Sequence, residues 1–179
     1  KLAQEKSLKV IANGSSNGIN TSYFNSAHFL EEDNNILKKS LKIEKEDFIF
    51  IFVGRIVADK GINELVEAFT MLSKELDNVK LLLVGAQEID LDPLEIGTIK
   101  EIEESKDIIS VGFQKDVRPY FSIANVLTFP SYREGFPNVV LQAGAMGLPS
   151  IVSNINGCNE IIEEGKNGII IPVKDTIAI

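Results

Sequence analysis

The 179-residue sequence contains no tryptophan, one histidine and one cysteine. A lone cysteine, Cys158, excludes an internal disulfide and is typical of a reducing compartment. Basic residues are also scarce: 18 lysines and arginines face 26 acidic residues, and the formal net charge of -8 argues against nucleic acid as a partner. We recognise no signal-peptide pattern and no apolar run of membrane-spanning length, so we expect a soluble, cytoplasmic domain without disulfides.

Residues that bind metals are not clustered in this sequence with the spacing of metal ligands. An Asp-x-Asp pattern occurs only at Asp90-Leu91-Asp92, before a proline in a loop, where we expect surface residues. The lone His28 lies in a polar turn before acidic residues, and we expect an exposed structural side chain there. We therefore expect chemistry without a metal ion.

Apolar β-forming runs alternate along the chain with segments of helical spacing, and 44% of the residues are hydrophobic. Predicted strands are Lys9–Ala12, Phe48–Gly54, Val79–Gly85, Ile108–Phe113, Val126–Phe129, Ser150–Ser153 and Gly168–Pro172. Predicted helices cover about 62–76, 94–106, 116–124, 137–146 and 159–164, with Asp116 as the cap of the third. From residue 47 onwards this alternation predicts an α/β fold, a doubly wound parallel sheet of six strands, Rossmann-like, with helices on both faces.

The most informative stretch is Pro130–Pro149, which follows a predicted strand. A loop carries Arg133 and Glu134, and Pro137 occupies the first turn of the next predicted helix, where its missing N–H costs nothing. The start of a helix after a strand is a favourable place for an anion. Gln142 lies about five residues into the helix, roughly 7–8 Å along its axis. This spacing suits two polar side chains that hold opposite ends of a ligand, with a phosphate between them.

A second polar loop follows the first core strand and contains Gly54-Arg55 and, five residues later, Lys60-Gly61. Glycine permits close approach of the backbone, and arginine and lysine offer a guanidinium fork and a point charge for a diphosphate. Taken alone, Gly-Arg also fits an ordinary solvated loop. Because ligands of parallel sheets bind beyond the carboxyl ends of the strands, we expect both loops to converge on one site.

These motifs, in this order, resemble those of the retaining glycosyltransferases of family 4 (group 1), whose GT-B fold has two Rossmann-like domains. That family carries a glutamate, seven residues and a second glutamate in a frame reading Pro-Ser-x-x-Glu-Gly-Phe-Pro, then Glu-Ala. Glu134 matches the first acid, but Gln142 stands where the second is expected. The Gly-Arg and Lys-Gly pairs also match, and the resemblance covers about residues 13–179.

The resemblance implies roles for individual residues. Arg55 and Lys60 would hold the donor diphosphate, and Glu134 would contact the donor sugar, so these three are the candidate catalytic residues. Gln142 would meet the ribose, where its carbonyl oxygen still accepts hydrogen bonds although the charge is lost. Phe113 would lie beside the base, although packing in the core explains it equally well. Candidate donor-binding residues are Gly54, Arg55, Lys60, Phe113, Gln114, Glu134, Gly135, Phe136, Pro137, Asn138, Val139 and Gln142.

The resemblance also divides the chain. Residues 1–46 would be the end of an acceptor-side domain and the connector, which includes the turn-rich segment Asn13–Asn20. Residues 47–179 would be the donor-binding domain, cut at its C-terminus where Asp175–Ile179 would begin a helix. A fragment of this kind is expected to bind a nucleotide sugar without transferring it. The sequence leaves open a non-catalytic sugar-nucleotide sensor and a sugar-nucleotide epimerase on the same fold.

The expected reaction of the whole protein is transfer of a sugar with retention, without a metal ion or other cofactor. UDP is the expected donor nucleotide because it is the commonest in the resembling group. The glycan or lipid-linked acceptor, and any peripheral contact with the cytoplasmic face of a membrane, would involve the missing domain. Cys158 is expected to be a small packed residue, since no base lies near it to activate the thiol.

Overall fold

In a computed structural model that describes residues 18–88, 90 and 92–179, six parallel strands form one sheet in the order β3-β2-β1-β4-β5-β6. The strands are β1 Phe48–Val53, β2 Val79–Val84, β3 Ile108–Ser110, β4 Val126–Phe129, β5 Ser150–Ser153 and β6 Gly168–Ile171. This order confirms the predicted doubly wound sheet. The strand predicted at Lys9–Ala12 lies outside the described residues.

Helices connect the strands in the alternation expected of right-handed crossovers. They are α1 Glu31–Ser40, α2 Ile62–Leu72, α3 Ile96–Glu104, α4 Arg118–Ile123, α5 Asn138–Ala145 and α6 Cys158–Ile161, with short 3₁₀ turns at Ser26–His28 and Ala58–Lys60. None of the described helices is long and apolar enough to cross a membrane. The cytoplasmic location stays a prediction of the sequence.

The core lies on both faces of the sheet around β1 and β2, which pair over their full length from Phe48↔Val79 to Val53↔Val84. Beyond the exposed Phe48 and the half-buried Phe50 and Lys80 at their start, their side chains are buried, as expected of a parallel strand covered by helices on both faces. Phe52 of β1 stacks on Phe129 of β4, with ring centroids 5.8 Å apart. The uninterrupted apolar runs of the sequence are therefore the interior of the molecule.

Several predicted boundaries were wrong, and in each case the chain leaves its element earlier than the pattern indicated. Helix α2 ends at Leu72, and Leu76, which continues the apolar spacing, is 51% exposed. Strand β3 ends at Ser110 rather than at Phe113, because only three of its residues pair with β2. Helix α6 covers Cys158–Ile161 rather than residues 159–164. The side-chain pattern therefore continues beyond each element, where individual hydrogen bonds persist, such as that from the Val111 N–H to the Leu83 carbonyl oxygen at 3.0 Å.

Asp116 was predicted to cap the helix that follows it, but α4 begins at Arg118 with Val117 as its N-cap residue. The Asp116 carboxylate nevertheless accepts from the backbone N–H of Arg118 at 3.1 Å and from its guanidinium at 2.9 and 2.6 Å. This pair lowers the pKa of the Asp116 carboxyl, chiefly through the hydrogen bond from Arg118. Asp116 stabilises the start of the helix from outside it.

Helix α1 was not predicted. It has three acidic residues in its first turn and two lysines in its last, a distribution that complements the helix dipole. Asn34 joins it to α4, since its Oδ1 accepts from Ser122 Oγ at 2.6 Å. His28 is exposed before this helix, as predicted. The proposed boundary near residue 46 stays a prediction.

The strand order reverses direction between β1 and β4, which are neighbours in the sheet although two strands separate them in the chain. At such a switch point the connections leave in opposite directions and open a crevice at the carboxyl edge of the sheet. The loops after β1 and β4 are the two polar loops in which the sequence predicted a site.

Candidate functional site

The loops that follow β1 and β4 meet at the switch point. Backbone contact joins them, since the N–H of Tyr132 donates to the carbonyl oxygen of Asp59 at 2.9 Å. Tyr132 also donates from its hydroxyl to Glu64 Oε1 of α2 at 2.6 Å. Burial, and then this carboxylate, raise the pKa of the Tyr132 phenol above its ordinary value. The 3₁₀ turn after β1 and helix α2 therefore both fix the position of the loop that carries Glu134.

Lys60 and Glu134 form the centre of the site. Lys60 Nζ lies 2.6 Å from Glu134 Oε1, and the two side chains are 14% and 18% exposed. A charge-assisted hydrogen bond of this length, partly withdrawn from water, is stronger than an ion pair on the open surface. The structure thus confirms that the two polar loops converge, although 74 positions separate the two residues.

Two glycines permit this close approach. Gly61 has a φ of +71°, and a Cβ at this residue would lie 2.2 Å from the carbonyl oxygen of Pro130. Gly157 has a φ of +78°, and its Cβ would lie 2.7 Å from Pro137 Cδ and 2.8 Å from the carbonyl oxygen of Gly135. A side chain at Gly61 or Gly157 would push the loop after β4 away from its neighbours.

Arg55 does not join the ion pair. Its Nη1 donates to Glu88 Oε2 at 2.9 Å, and its side chain is 50% exposed, just beyond Gly54 at the end of β1. The hydrogen bond to Glu88 raises the pKa of the Arg55 guanidinium. Arg55 therefore lies at the same edge of the sheet as Lys60, but it has a different partner among the described residues.

Helix α5 begins at Asn138, with Pro137 as its N-cap residue, one position later than predicted. Asn138 Oδ1 is buried without a hydrogen-bond partner in the described part of the chain. Gln142 lies one turn further along α5 and is partly exposed. Gly135 and the partly buried Phe136 connect Glu134 to the start of α5, where Val139 is also partly buried. The first N–H groups of α5 are thus close in the chain to the ion pair.

Phe113 is 75% exposed, so the alternative that it packs in the core was wrong. It follows the carboxyl end of β3, after the chain has left the sheet at Ser110. Gln114 donates from its Nε2 to the carbonyl oxygen of Val111 at 2.8 Å, which closes this turn on itself. An exposed ring at this edge is free to stack on a flat ligand group. Contact with a base stays a prediction.

The sequence did not identify Ser131 and Asp59 as parts of the site. Ser131 is fully buried, and its Oγ lies 2.9 Å from Glu134 Oε1. Asp59 Oδ2 forms an ion pair with Arg133 Nε at 3.6 Å, while its Oδ1 is buried without a partner among the described residues. The available signal was spacing, since Ser131 precedes Glu134 by three positions in a tight loop.

Asp92 also contributes to the loop after β1, and its predicted place on the surface was wrong. Its Oδ2 accepts from the backbone N–H of Asp59 at 2.5 Å, and its side chain is partly buried. Asp90 is exposed, as predicted. In the described part of the chain, no three His, Cys, Asp or Glu side chains are grouped so that they could hold a metal ion.

Cys158 lies at the start of α6 and is fully buried. Burial, and then the charge of Glu134, raise the pKa of its thiol to about 12. These observations confirm the prediction of a small packed residue.

We expect Cys158 to react with iodoacetamide at pH 8 more than about 100-fold more slowly in the folded chain than in urea, because the thiolate is the reactive form. Mass spectrometry of time points measures the difference. A free thiol such as glutathione in the same urea solution serves as the control for reagent activity. Rapid alkylation of the folded chain would contradict the burial of Cys158.

The comparison with known families gives a match to the model of glycosyl transferases group 1 over residues 33–179. The chain belongs to the group 1 glycosyl transferases. Its resemblance in sequence is thus confirmed. This group 1 domain is 33% identical over 179 residues to the capsular polysaccharide biosynthesis glycosyltransferase CapM of Staphylococcus aureus. The match covers 99% of this chain and 45% of CapM.

Solved structures share the fold of this chain. Sucrose-phosphate synthase of Thermosynechococcus elongatus is 30% identical with a TM-score of 0.72, and the match covers 90% of this chain and 39% of that one. Anabaena HepE, solved with UDP and glucose, is 21% identical with a TM-score of 0.75, over 90% of this chain and 43% of its own. The group 1 domain therefore spans less than half the length of these proteins.

Proposed function

We propose that the whole protein is a glycosyltransferase that moves a sugar from a nucleoside diphosphate sugar to a glycan or lipid-linked acceptor. This chain is then its donor-binding half. The observation that carries the proposal is the Lys60–Glu134 pair, 2.6 Å apart and partly buried at the switch point of the sheet. A cation and a carboxylate held together there offer one group to a diphosphate and one to a sugar.

The cationic and N–H groups at this edge of the sheet are proposed to stabilise the departing diphosphate. When the bond between sugar and diphosphate breaks, negative charge grows on the departing phosphate oxygen, and donors aimed at that oxygen lower the barrier. Lys60 and the first N–H groups of α5 supply such donors. Arg55 would supply a third if it exchanged Glu88 for a phosphate, which its exposed position permits. This set of donors supports transfer without a metal ion or other cofactor.

Glu134 is proposed to accept hydrogen bonds from the hydroxyl groups of the donor sugar. Its carboxylate would also stabilise positive charge that develops at the reacting carbon, as expected for transfer with retention. The general base, if the reaction uses one, and the acceptor would belong to the rest of the whole protein. CapM, whose name places it in capsular polysaccharide biosynthesis, supports a glycan as the product.

UDP is the proposed donor nucleotide, and the structure of HepE with UDP and glucose supports this choice. Phe113, with Gln114, is proposed to contact the base, and the exposure of the Phe113 ring beyond the end of β3 supports this role. Gln142 is proposed to meet the ribose from the second turn of α5. A side-chain amide both accepts and donates, so it can bind two neighbouring hydroxyl groups.

The decisive experiment incubates the whole protein with UDP-sugars, first alone and then with candidate glycan and lipid-linked acceptors. Sugar transfer supports the proposal. Epimerised donor, or no turnover with any acceptor, would replace it with an epimerase or with a sensor of nucleotide sugars. Calorimetry of the 179-residue chain with UDP, GDP and ADP tests the donor half separately, and binding without transfer is the expected result.

Gln142→Glu is expected to leave the fold intact and to change nucleotide affinity by about 1 kcal/mol or less, towards tighter binding. The side chains are nearly isosteric, and a carboxylate accepts more strongly from two ribose hydroxyls, while repulsion from the diphosphate limits the gain. In calorimetry, Gln142→Ala should weaken the binding of UDP more than the binding of its 2′,3′-dideoxy analogue. Equal losses for both ligands would show that Gln142 does not contact the ribose.

A further inference from the structure

Ser131 is a buried polar side chain whose role neither the sequence nor the proposed function assigns. It lies on the loop after β4 and is completely inaccessible to solvent. Three acceptors surround its hydroxyl: Glu134 Oε1 at 2.9 Å, the carbonyl oxygen of Arg133 at 3.2 Å and that of Asp59 at 3.5 Å. A buried hydroxyl in such surroundings has a fixed orientation.

A serine hydroxyl has one proton to donate, so the three acceptors compete for it. The Glu134 oxygen is both the nearest and the only ionised one, and hydrogen bonds to ionised acceptors are roughly twice as strong as neutral ones. Ser131 therefore donates to Glu134. The two carbonyl oxygens hold the hydroxyl in place from the other side.

The two hydrogen bonds that the described residues make to the Glu134 carboxylate end at the same oxygen. Oε1 accepts from Lys60 Nζ at 2.6 Å and from Ser131 Oγ at 2.9 Å. Among the residues that the structure describes, none donates a hydrogen bond to Oε2. Two donors at one oxygen set the orientation of the carboxylate and leave the second oxygen to accept from a ligand.

The two donors are not equivalent once a diphosphate binds. The Lys60 ammonium sits on a flexible stem, and a phosphate would compete with Glu134 for its protons. Ser131 has no such competitor because it is buried away from any ligand. The serine is thus the contact that keeps Glu134 in position when the lysine turns to the phosphate.

We propose that Ser131 is a positioning residue for recognition of the donor sugar: it holds Glu134 Oε1, so that Oε2 accepts from a sugar hydroxyl. This inference rests on the proposed function and adds to it a residue that never touches the ligand. It requires that loss of the hydroxyl affect the sugar part of a nucleotide sugar and leave the nucleotide part alone.

The test compares binding of UDP-glucose and UDP by calorimetry, since these probes differ only in the sugar. Ser131→Ala is expected to weaken the binding of UDP-glucose about fivefold, the size of one lost hydrogen bond. Its affinity for UDP should stay within about twofold of that of the unaltered chain. In a Glu134→Ala background the same change should add no further loss for UDP-glucose, because Ser131 acts through that carboxylate.

Ser150→Ala is the matched control, because Ser150 is a serine at the opposite end of the sheet with only 2% exposure. It should change neither affinity. If Ser131→Ala does not fold, as judged by circular dichroism, Ser131→Cys fills the site with a slightly larger side chain and a weak donor and should give the same selective loss.

Equal losses for UDP-glucose and UDP in a folded Ser131 variant would overturn the inference and leave the proposed function standing. The inference would also be overturned if Ser131→Ala weakened the binding of UDP-glucose as much in the Glu134→Ala background as in the unaltered chain. If the unaltered chain binds neither probe, the proposed nucleotide site is wrong and the inference falls with it.

Discussion

Lys60→Ala is expected to weaken UDP binding about 10- to 100-fold, the equivalent of about 1.5–3 kcal/mol for a hydrogen bond to a charged group. Lys60 is 14% exposed at the crevice, so little solvent screens its charge from a diphosphate. Uridine, which lacks phosphates, should bind the variant as it binds the unaltered chain. Calorimetry with the two ligands measures the difference.

Two further variants set the scale of this effect. Lys166→Ala removes a lysine that is 72% exposed and paired with Glu163, and it should leave UDP binding unchanged. The sequence predicts the same loss for Arg55→Ala as for Lys60→Ala. Because Arg55 is 50% exposed and must first leave Glu88, we now expect a loss at the lower end of that range, about 1.5 kcal/mol. If Lys60→Ala lowered the affinities for UDP and for uridine equally, this lysine would not be at the phosphates.

Gly61→Ala is expected to lower the free energy of unfolding by about 3 kcal/mol or more. A non-glycine residue in the left-handed region costs about 1–2 kcal/mol, and overpacking adds about 1–3 kcal/mol. Both apply here, since φ is +71° and the new Cβ would lie 2.2 Å from the carbonyl oxygen of Pro130. The relief of this overlap must move the loops after β1 and β4 apart, so the Lys60–Glu134 contact should also weaken.

The matched control is Gly165→Ala, because Gly165 has a φ of +73° but nothing within 4 Å of the position of a Cβ. It should cost only the backbone term, about 1–2 kcal/mol. Urea denaturation followed by circular dichroism measures both variants. The difference between them isolates the overlap with Pro130, and two equal values would mean that the loops are not in close contact.

Much of the fold could be predicted because strand and helix patterns are local. Strand β1 is a continuous apolar run, and Val126–Phe129 and Ser150–Ser153 were predicted with their observed ends. Helix α1 was missed because its pattern is mainly one of charge, with acids first and lysines last. The predicted ends of α2 and β3 were wrong because side-chain pattern does not report where backbone pairing stops.

The candidate site divides in the same way. By itself, the sequence determined the fold class, the two loops and the presence of Lys60 and Glu134 on them, because residue type and spacing along the chain specify these features. Only the tertiary structure decided which partners meet: Lys60 with Glu134, Arg55 with Glu88, and Ser131 with the Glu134 carboxylate. Such pairs depend on distances between residues far apart in the chain. The order of the strands in the sheet sets those distances, since it places the ends of β1 and β4 side by side.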